Sequence, residues 1–231
     1  MATEPARYNP QIQSVLHRLQ RESAKDWRIL PRLLPAIFNA ILRRQSWMTA
    51  FTSEAMRSCY IPVAPDLGHL LYLTARQIYA RQIVEFGTSF GVSTIYLAAA
   101  LRDNGGGTLI GSEIIPEKRT RALQNLTDAG LSDLVEIRGG DAMQAFSDLP
   151  TPIDLLLLDA DKDLYLPMLQ MLTPKLRHGA MVFADNIFTF RKSLQPYVDY
   201  VQNPQNGFVS MTLPIGDGCQ LSCFLPSQAD A

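Results

Sequence analysis

The sequence predicts an α/β fold: a doubly wound, mostly parallel sheet covered by helices on both faces, preceded by a helical extension. Three observations predict it. From Gln82 onward, short apolar runs alternate with helical segments, which is the pattern of βαβ units. Several of those runs stop abruptly at glycines or acidic residues, as strands do when they deliver polar groups to one edge of a parallel sheet. The chain has 231 residues, 47% hydrophobic and 19% charged, enough for one large domain or one domain plus a small extension. The expected division is a helical extension over 1–60, serving as lid or dimer contact, and a main domain over 61–231.

Each element follows from a local signal. Residues 1–10 read as a loose leader with Pro5 and Pro10. Gln11 to Lys25 is a polar helix with Ile12, Val15, Leu16 and Leu19 on one face. Trp27 to Arg44 is interrupted by Pro31 and Pro35, which predicts broken helical pieces, and Met48 to Tyr60 a short helix. After the turn at Pro62, Asp66 is expected to cap a helix running to Ala80. Ile83 to Phe86 is the first strand, followed by a glycine turn and a helix from Val92 to Leu101. Thr108 to Glu113 is the second strand, and Pro116 opens the next helix, where its missing N–H costs nothing. Leu134 to Arg138 is the third strand and Ala142 to Leu149 a short helix. Ile153 to Leu158 is the fourth strand. Its helix is expected to start between Asp163 and Pro167, with Asp163 as cap, and to stop at His178-Gly179. Ala180 to Ala184 is the fifth strand, a helix covers Lys192 to Val201, and Phe208–Leu213 and Gln220–Leu225 pair as a final antiparallel hairpin.

Composition excludes several classes of function. Net charge is −1 and the pI about 6.3, so nothing draws the chain to nucleic acid or an anionic membrane. No apolar run approaches the ~20 residues of a membrane span, and the first residues lack the apolar core of a signal peptide. Cys59, Cys219 and Cys223 make neither a zinc spacing nor a disulfide framework, which fits a reducing, cytoplasmic compartment.

The residues at the strand ends carry the chemistry. Glu85-Phe-Gly87-Thr-Ser-Phe-Gly91 lets the backbone turn tightly against a ligand. Ser89 stands where a dinucleotide fingerprint has its middle glycine, so a pyrophosphate cradle is a poor match. The looser turn suits the carboxylate and amine of S-adenosylmethionine, with Glu85 facing the ammonium. Glu113 is placed for ribose hydroxyls, and Asp141, after Gly139-Gly140, for an adenine amino group. Each also has a structural reading: packing glycines, a surface glutamate, a helix cap at Asp141.

The densest cluster is Asp159-Ala-Asp161-Lys162-Asp163, after the fourth strand, answered by Asp185-Asn186 after the fifth. Burying such charge is costly unless it is paired or bound to a metal. Asp159, Asp185 and Asn186 offer few, hard oxygen donors, which suits Mg²⁺, with Mn²⁺ or Ca²⁺ as alternatives. A lysine beside a dication is favoured in its neutral form, so Lys162 is the candidate base. The structural alternative is a capping acidic cluster beside a solvated lysine.

Residues 63–225 resemble the cation-dependent, S-adenosylmethionine-dependent O-methyltransferases that include the caffeoyl-CoA and catechol enzymes. The likeness lies in Val84-Glu-Phe-Gly-Thr-Ser-Phe-Gly-Val-Ser93, Leu158-Asp-Ala-Asp-Lys-Asp163, Ala184-Asp-Asn186 and Leu213-Pro-Ile-Gly-Asp-Gly218. The resemblance implies a seven-stranded, Rossmann-like methyltransferase fold and S-adenosylmethionine as methyl donor. It matches Asp159, Asp185 and Asn186 to the metal ligands and Lys162 to the catalytic base. Val63, Glu85, Gly87, Ser93, Glu113, Ala142 and Asp161 match cofactor-lining positions. It also implies a hydroxylated small-molecule acceptor and a homodimer. The segment after Asn186, Ile-Phe-Thr-Phe-Arg-Lys, departs from the Trp- and Gly-containing loop of plant members, so their acceptor does not carry over. Trp27, Tyr60, Phe188 and Phe190 could line an aromatic pocket or simply pack. A nucleotide-dependent oxidoreductase and a cofactor-binding protein without catalysis are the rival readings.

Overall fold

The computed structural model describes residues 5–26 and 62–226. The helices expected over 27–44 and 48–60, with Trp27, Cys59 and Tyr60, lie outside the described residues. A seven-stranded sheet runs in the order β3-β2-β1-β4-β5-β7-β6. Its strands are β1 (Gln82–Phe86), β2 (Thr108–Glu113), β3 (Val135–Gly139), β4 (Ile153–Leu158), β5 (Leu176–Ala184), β6 (Phe208–Leu213) and β7 (Cys219–Phe224). The first five pair in parallel, while β7 is antiparallel to both β5 and β6. The chain runs outward from β1 through β2 to β3, then returns to start β4 on the other side of β1. This reversal opens a crevice at the carboxyl ends of β1 and β4, where such sheets bind ligands.

Alternate residues of each central strand face opposite layers. Ile83, Leu109, Leu155, Leu157 and Phe183 share one core with helices α1 (Pro10–Asp26), α2 (Pro65–Gln77), α3 (Val92–Asp103) and α4 (Pro116–Asp128). Val84, Phe86, Ile110, Leu156, Leu158 and Val182 share the other with α5 (Ala142–Ala145), α6 (Tyr165–Leu172) and α7 (Arg191–Gln202). The predicted face of α1 is the buried one: Ile12, Val15, Leu16 and Leu19 are all at most 5% exposed. Arg18 then fixes α1 to α4 through Asn125 and Asp128, both at 2.8 Å.

Several boundaries differ from expectation. Helix α2 begins with Pro65 in its first turn, and Asp66 lies inside that turn without capping. Helix α5 stops at Ala145, short of Leu149. Helix α6 ends at Leu172, where Thr173-Pro174 starts a single 3₁₀ turn, because proline removes the N–H the helix would need. His178 and Gly179 therefore lie inside β5, which is longer than expected. Gly179 takes φ +78° where the β4–β5 register shifts between Ile153 and Leu155, so it serves a strand irregularity and not a helix stop. Finally, Asp161 is the residue that caps the turn after β4, accepting from the Asp163 N–H at 3.2 Å; Asp163 is exposed.

Candidate active site

The ends of β1, β4 and β5 are in register, with Phe86 opposite Leu158 and Leu158 opposite Ala184. The next residues are Gly87, Asp159 and Asp185, so the sheet itself brings the glycine turn and both carboxylates to one edge. Gly87 has φ +104°, and a Cβ there would sit 2.3 Å from the Asp159 carbonyl oxygen. Only glycine allows that approach. A shallow open cleft lies at this point, lined by Val63, Gly87, Thr88, Ser93 and Asp159 among others.

The glycine turn is built on Glu85. Its carboxylate is fully buried and accepts from the hydroxyls of Ser93 (2.6 Å), Thr94 (2.6 Å) and Thr88 (3.0 Å). Burial raises its pKa, and those three hydrogen bonds oppose the rise. Glu85 thus lies beneath the cleft, while Ser93 and Thr88 reach its wall. Gly111 on β2 makes the space: a Cβ there would lie 2.3 Å from Thr88 Oγ1. Thr88, Thr94 and Gly111 went unread in the sequence, although Thr88 is part of the turn motif itself.

Glu113 tethers the same turn from β2. It accepts from the Ser89 N–H and the Ile115 N–H, each at 2.8 Å, and Ser89 adopts φ +49°, a conformation glycine favours. Each Glu113 oxygen keeps a further lone pair for a ligand. Just after the neighbouring strand β3, Asp141 caps α5 by accepting from the Met143 N–H at 2.7 Å; it is exposed, and the adjacent Ala142 is buried. The cap and a ligand contact are compatible, since one carboxylate oxygen stays open.

At the opposite side of the cleft, Lys162 Nζ lies 3.4 Å from Asp159 Oδ1 and 2.7 Å from the Tyr165 hydroxyl. Asp185 Oδ1 accepts from the Asn186 N–H at 2.8 Å, and Asn186 takes φ +66°, which asparagine tolerates better than most residues. Burial pushes the pKa of both Asp159 and Asp185 upward, and the charge of Asp159 raises Asp185 further. Lys162 offsets part of this at both carboxylates. Burial also raises Asp161. The loop after β5 is fastened to the β6–β7 connection, where the Ile187 and Phe188 N–H groups donate to Gly218 and Asp217, each at 3.0 Å. Asp217 adds to the negative field on Asp185, a neighbour that the sequence did not single out. Phe188 is exposed; Phe190 lies with its ring 5.6 Å from Lys162 Nζ.

Two repelling carboxylates with a single amine, bound to Asp159, form a site short of positive charge, and a divalent cation fits that deficit. Among the described residues, no three His, Cys, Asp or Glu side chains gather. The third donor of this set is an amide, Asn186, and hard cations that retain water accept such mixed oxygen sets.

Comparison with known proteins gives a consistent neighbourhood. Residues 84–187 match a methyltransferase domain family. The chain is 37% identical over 138 residues to a catechol O-methyltransferase of Niastella koreensis, covering 58% of this chain and 62% of that one. It is 35% identical over 139 residues to one of Mycobacterium tuberculosis, covering 58% and 61%. The match thus spans about three fifths of each relative. A maize caffeoyl-CoA O-methyltransferase 2 is 27% identical over 179 residues, covering 68% and 67%. Among solved structures, the O-methyltransferase TomG from Streptomyces achromogenes, in complex with SAM, superposes with TM-score 0.63 at 27% identity, covering 71% and 81%. Cofactor-bound Rv0187 from M. tuberculosis superposes with TM-score 0.67 at 27% identity, covering 72% and 83%.

Proposed function

We propose that this chain is a class I O-methyltransferase akin to the catechol and caffeoyl-CoA enzymes it resembles, and that it transfers a methyl group from S-adenosylmethionine to a hydroxyl of a small molecule. The acceptor class is a vicinal diphenol or hydroxylated natural product. One observation carries the reading: Asp159 both lines the cleft with Val63, Gly87 and Ser93 and meets Lys162. It joins a place for the methyl donor to a base.

Asp159, Asp185 and the Asn186 amide oxygen would hold the cation, Mg²⁺ before Mn²⁺ or Ca²⁺. Bound there, it supplies positive charge that favours an acceptor oxygen without its proton. Lys162 Nζ takes that proton from the hydroxyl. The oxygen then bonds to the methyl carbon as the carbon–sulfur bond breaks, leaving S-adenosylhomocysteine. Glu113 would accept from the ribose hydroxyls and Asp141 from the adenine amino group, with Ala142 and Asp161 along the same wall. Glu85 acts from beneath by fixing Ser93 and the turn. Much of the rate would come from orientation across the cleft.

The test is a methylation assay over vicinal diphenols and hydroxylated natural products, with Mg²⁺ and with EDTA. Mg²⁺-dependent product is expected; full activity in EDTA would remove the metal from the reading. Calorimetry with S-adenosylhomocysteine and NAD in parallel separates it from a nucleotide-dependent oxidoreductase. Binding without any methyl transfer would favour a non-catalytic protein. A homodimer in the cytoplasm completes the reading, and light scattering tests the dimer.

A further inference from the structure

Resting on that reading, we propose that Tyr165 is a positioning residue that aims the Lys162 amine at the acceptor hydroxyl. Lys162 sits on a single 3₁₀ turn, and a lysine stem of four rotatable carbons has many rotamers open to it. Left alone, its amine would wander. Tyr165 cannot wander. It is fully buried at the start of α6, with its ring edge-on between Phe86 and Tyr197 at centroid distances of 6.5 and 5.9 Å.

Its hydroxyl has two neighbours: Lys162 Nζ at 2.7 Å and the Asp185 carbonyl oxygen at a longer 3.4 Å. A carbonyl oxygen can only accept, so the phenol hydrogen points to Asp185 and the phenol oxygen is left to accept from Lys162. Asp159 Oδ1, at 3.4 Å, also can only accept from the amine. With one N–H held by Tyr165 and another by Asp159, the remaining tetrahedral position of the nitrogen faces away from both, where an acceptor hydroxyl can approach it. Tyr165 thereby also ties the base to the backbone of Asp185, so the amine and the β5 end keep a fixed spacing.

Tyr165→Phe keeps the ring and removes the hydroxyl. Two readouts apply: kcat and KM on an accepted hydroxylated substrate, and the rate at which acetic anhydride labels each lysine, read by mass spectrometry in metal-free protein. We expect kcat to fall about tenfold or more with KM for S-adenosylmethionine nearly unchanged. Lys162 labelling should rise severalfold while exposed Lys192 stays constant. Adding Tyr165→Phe to Lys162→Ala should slow the enzyme no further, since the two act as one unit. Unchanged labelling of Lys162, or an equal slowing in the Lys162→Ala background, overturns the proposal. If the wild type methylates nothing, the function reading fails, and the labelling arm alone still decides the role of Tyr165. If Tyr165→Phe does not fold, the wild type decides: labelling of Lys162 as fast as that of Lys192 overturns it.

Discussion

Gly87 shows how one atom sets the site. Its missing side chain lets the β1 turn lie against the Asp159 carbonyl, with both partners backbone and neither able to yield. Gly87→Ala should therefore cost on the order of 1–3 kcal/mol, measured by urea denaturation. Ser89→Gly, two residues on in the same turn, should change stability by less than about 1 kcal/mol. There the relief of φ +49° is opposed by glycine's greater backbone entropy. Equal effects at the two positions would mean that the turn, not the contact, is at stake. Lys162→Ala should lower kcat by roughly 10²–10⁴-fold, the range for a lost general base. Its affinity for S-adenosylhomocysteine, measured by calorimetry, should stay near wild type; a large loss there would assign Lys162 to the cofactor instead. Lys162 was legible in the sequence from its place after Asp159. Its partner Tyr165 was not, because three residues of separation bring side chains together only if the intervening chain is helical.

At the scale of elements, the sequence period of α1 points to the same four residues that the core buries, since a 3.6-residue period needs no tertiary information. It is part of the core and not an appendage: Leu19 is wholly buried, and Arg18 is bound to α4. Leu19→Ala should cost about 2–5 kcal/mol by chemical denaturation, and a loss below about 0.5 kcal/mol would show that α1 is not docked in solution. Strand β5 is longer than its sequence suggests. Its first half, Leu176-Arg-His-Gly179, is polar and carries a glycine, features of a helix end when seen in one dimension. Arg177 explains the difference. It donates to Asp154 at 2.5 Å, and Asp154 is buried on β4, so the polar half of β5 is paired with its neighbour.

Across the whole molecule, stability should depend on pH and metal together. Glu85, Asp159 and Asp185 all have pKa values raised by burial in the folded state. A carboxyl so shifted contributes stability that is present below its unfolded pKa of ~4 and is lost as pH rises through the folded value. In EDTA, the melting temperature should therefore fall as pH rises from the acid range toward neutrality. Mg²⁺ should raise it markedly at pH 8 and little at pH 5, where Asp159 and Asp185 hold protons. Calorimetric melts with and without Mg²⁺ check this; an equal Mg²⁺ effect at both pH values would separate the cation from these carboxylates. The fold class, the carboxyl ends of β1, β2, β4 and β5, the face of α1 and the gathering of Asp159, Lys162, Asp185 and Asn186 at one sheet edge were legible in the sequence alone, because periodicity and abrupt changes of polarity are local signals. Only the tertiary structure decided that Glu85 lies beneath the cleft, that Asp161 caps the turn in place of Asp163, and that Tyr165 holds the lysine. Those outcomes depend on which buried polar group finds a partner across the sheet, and a hydrogen bond between residues distant in the chain leaves no trace in their order.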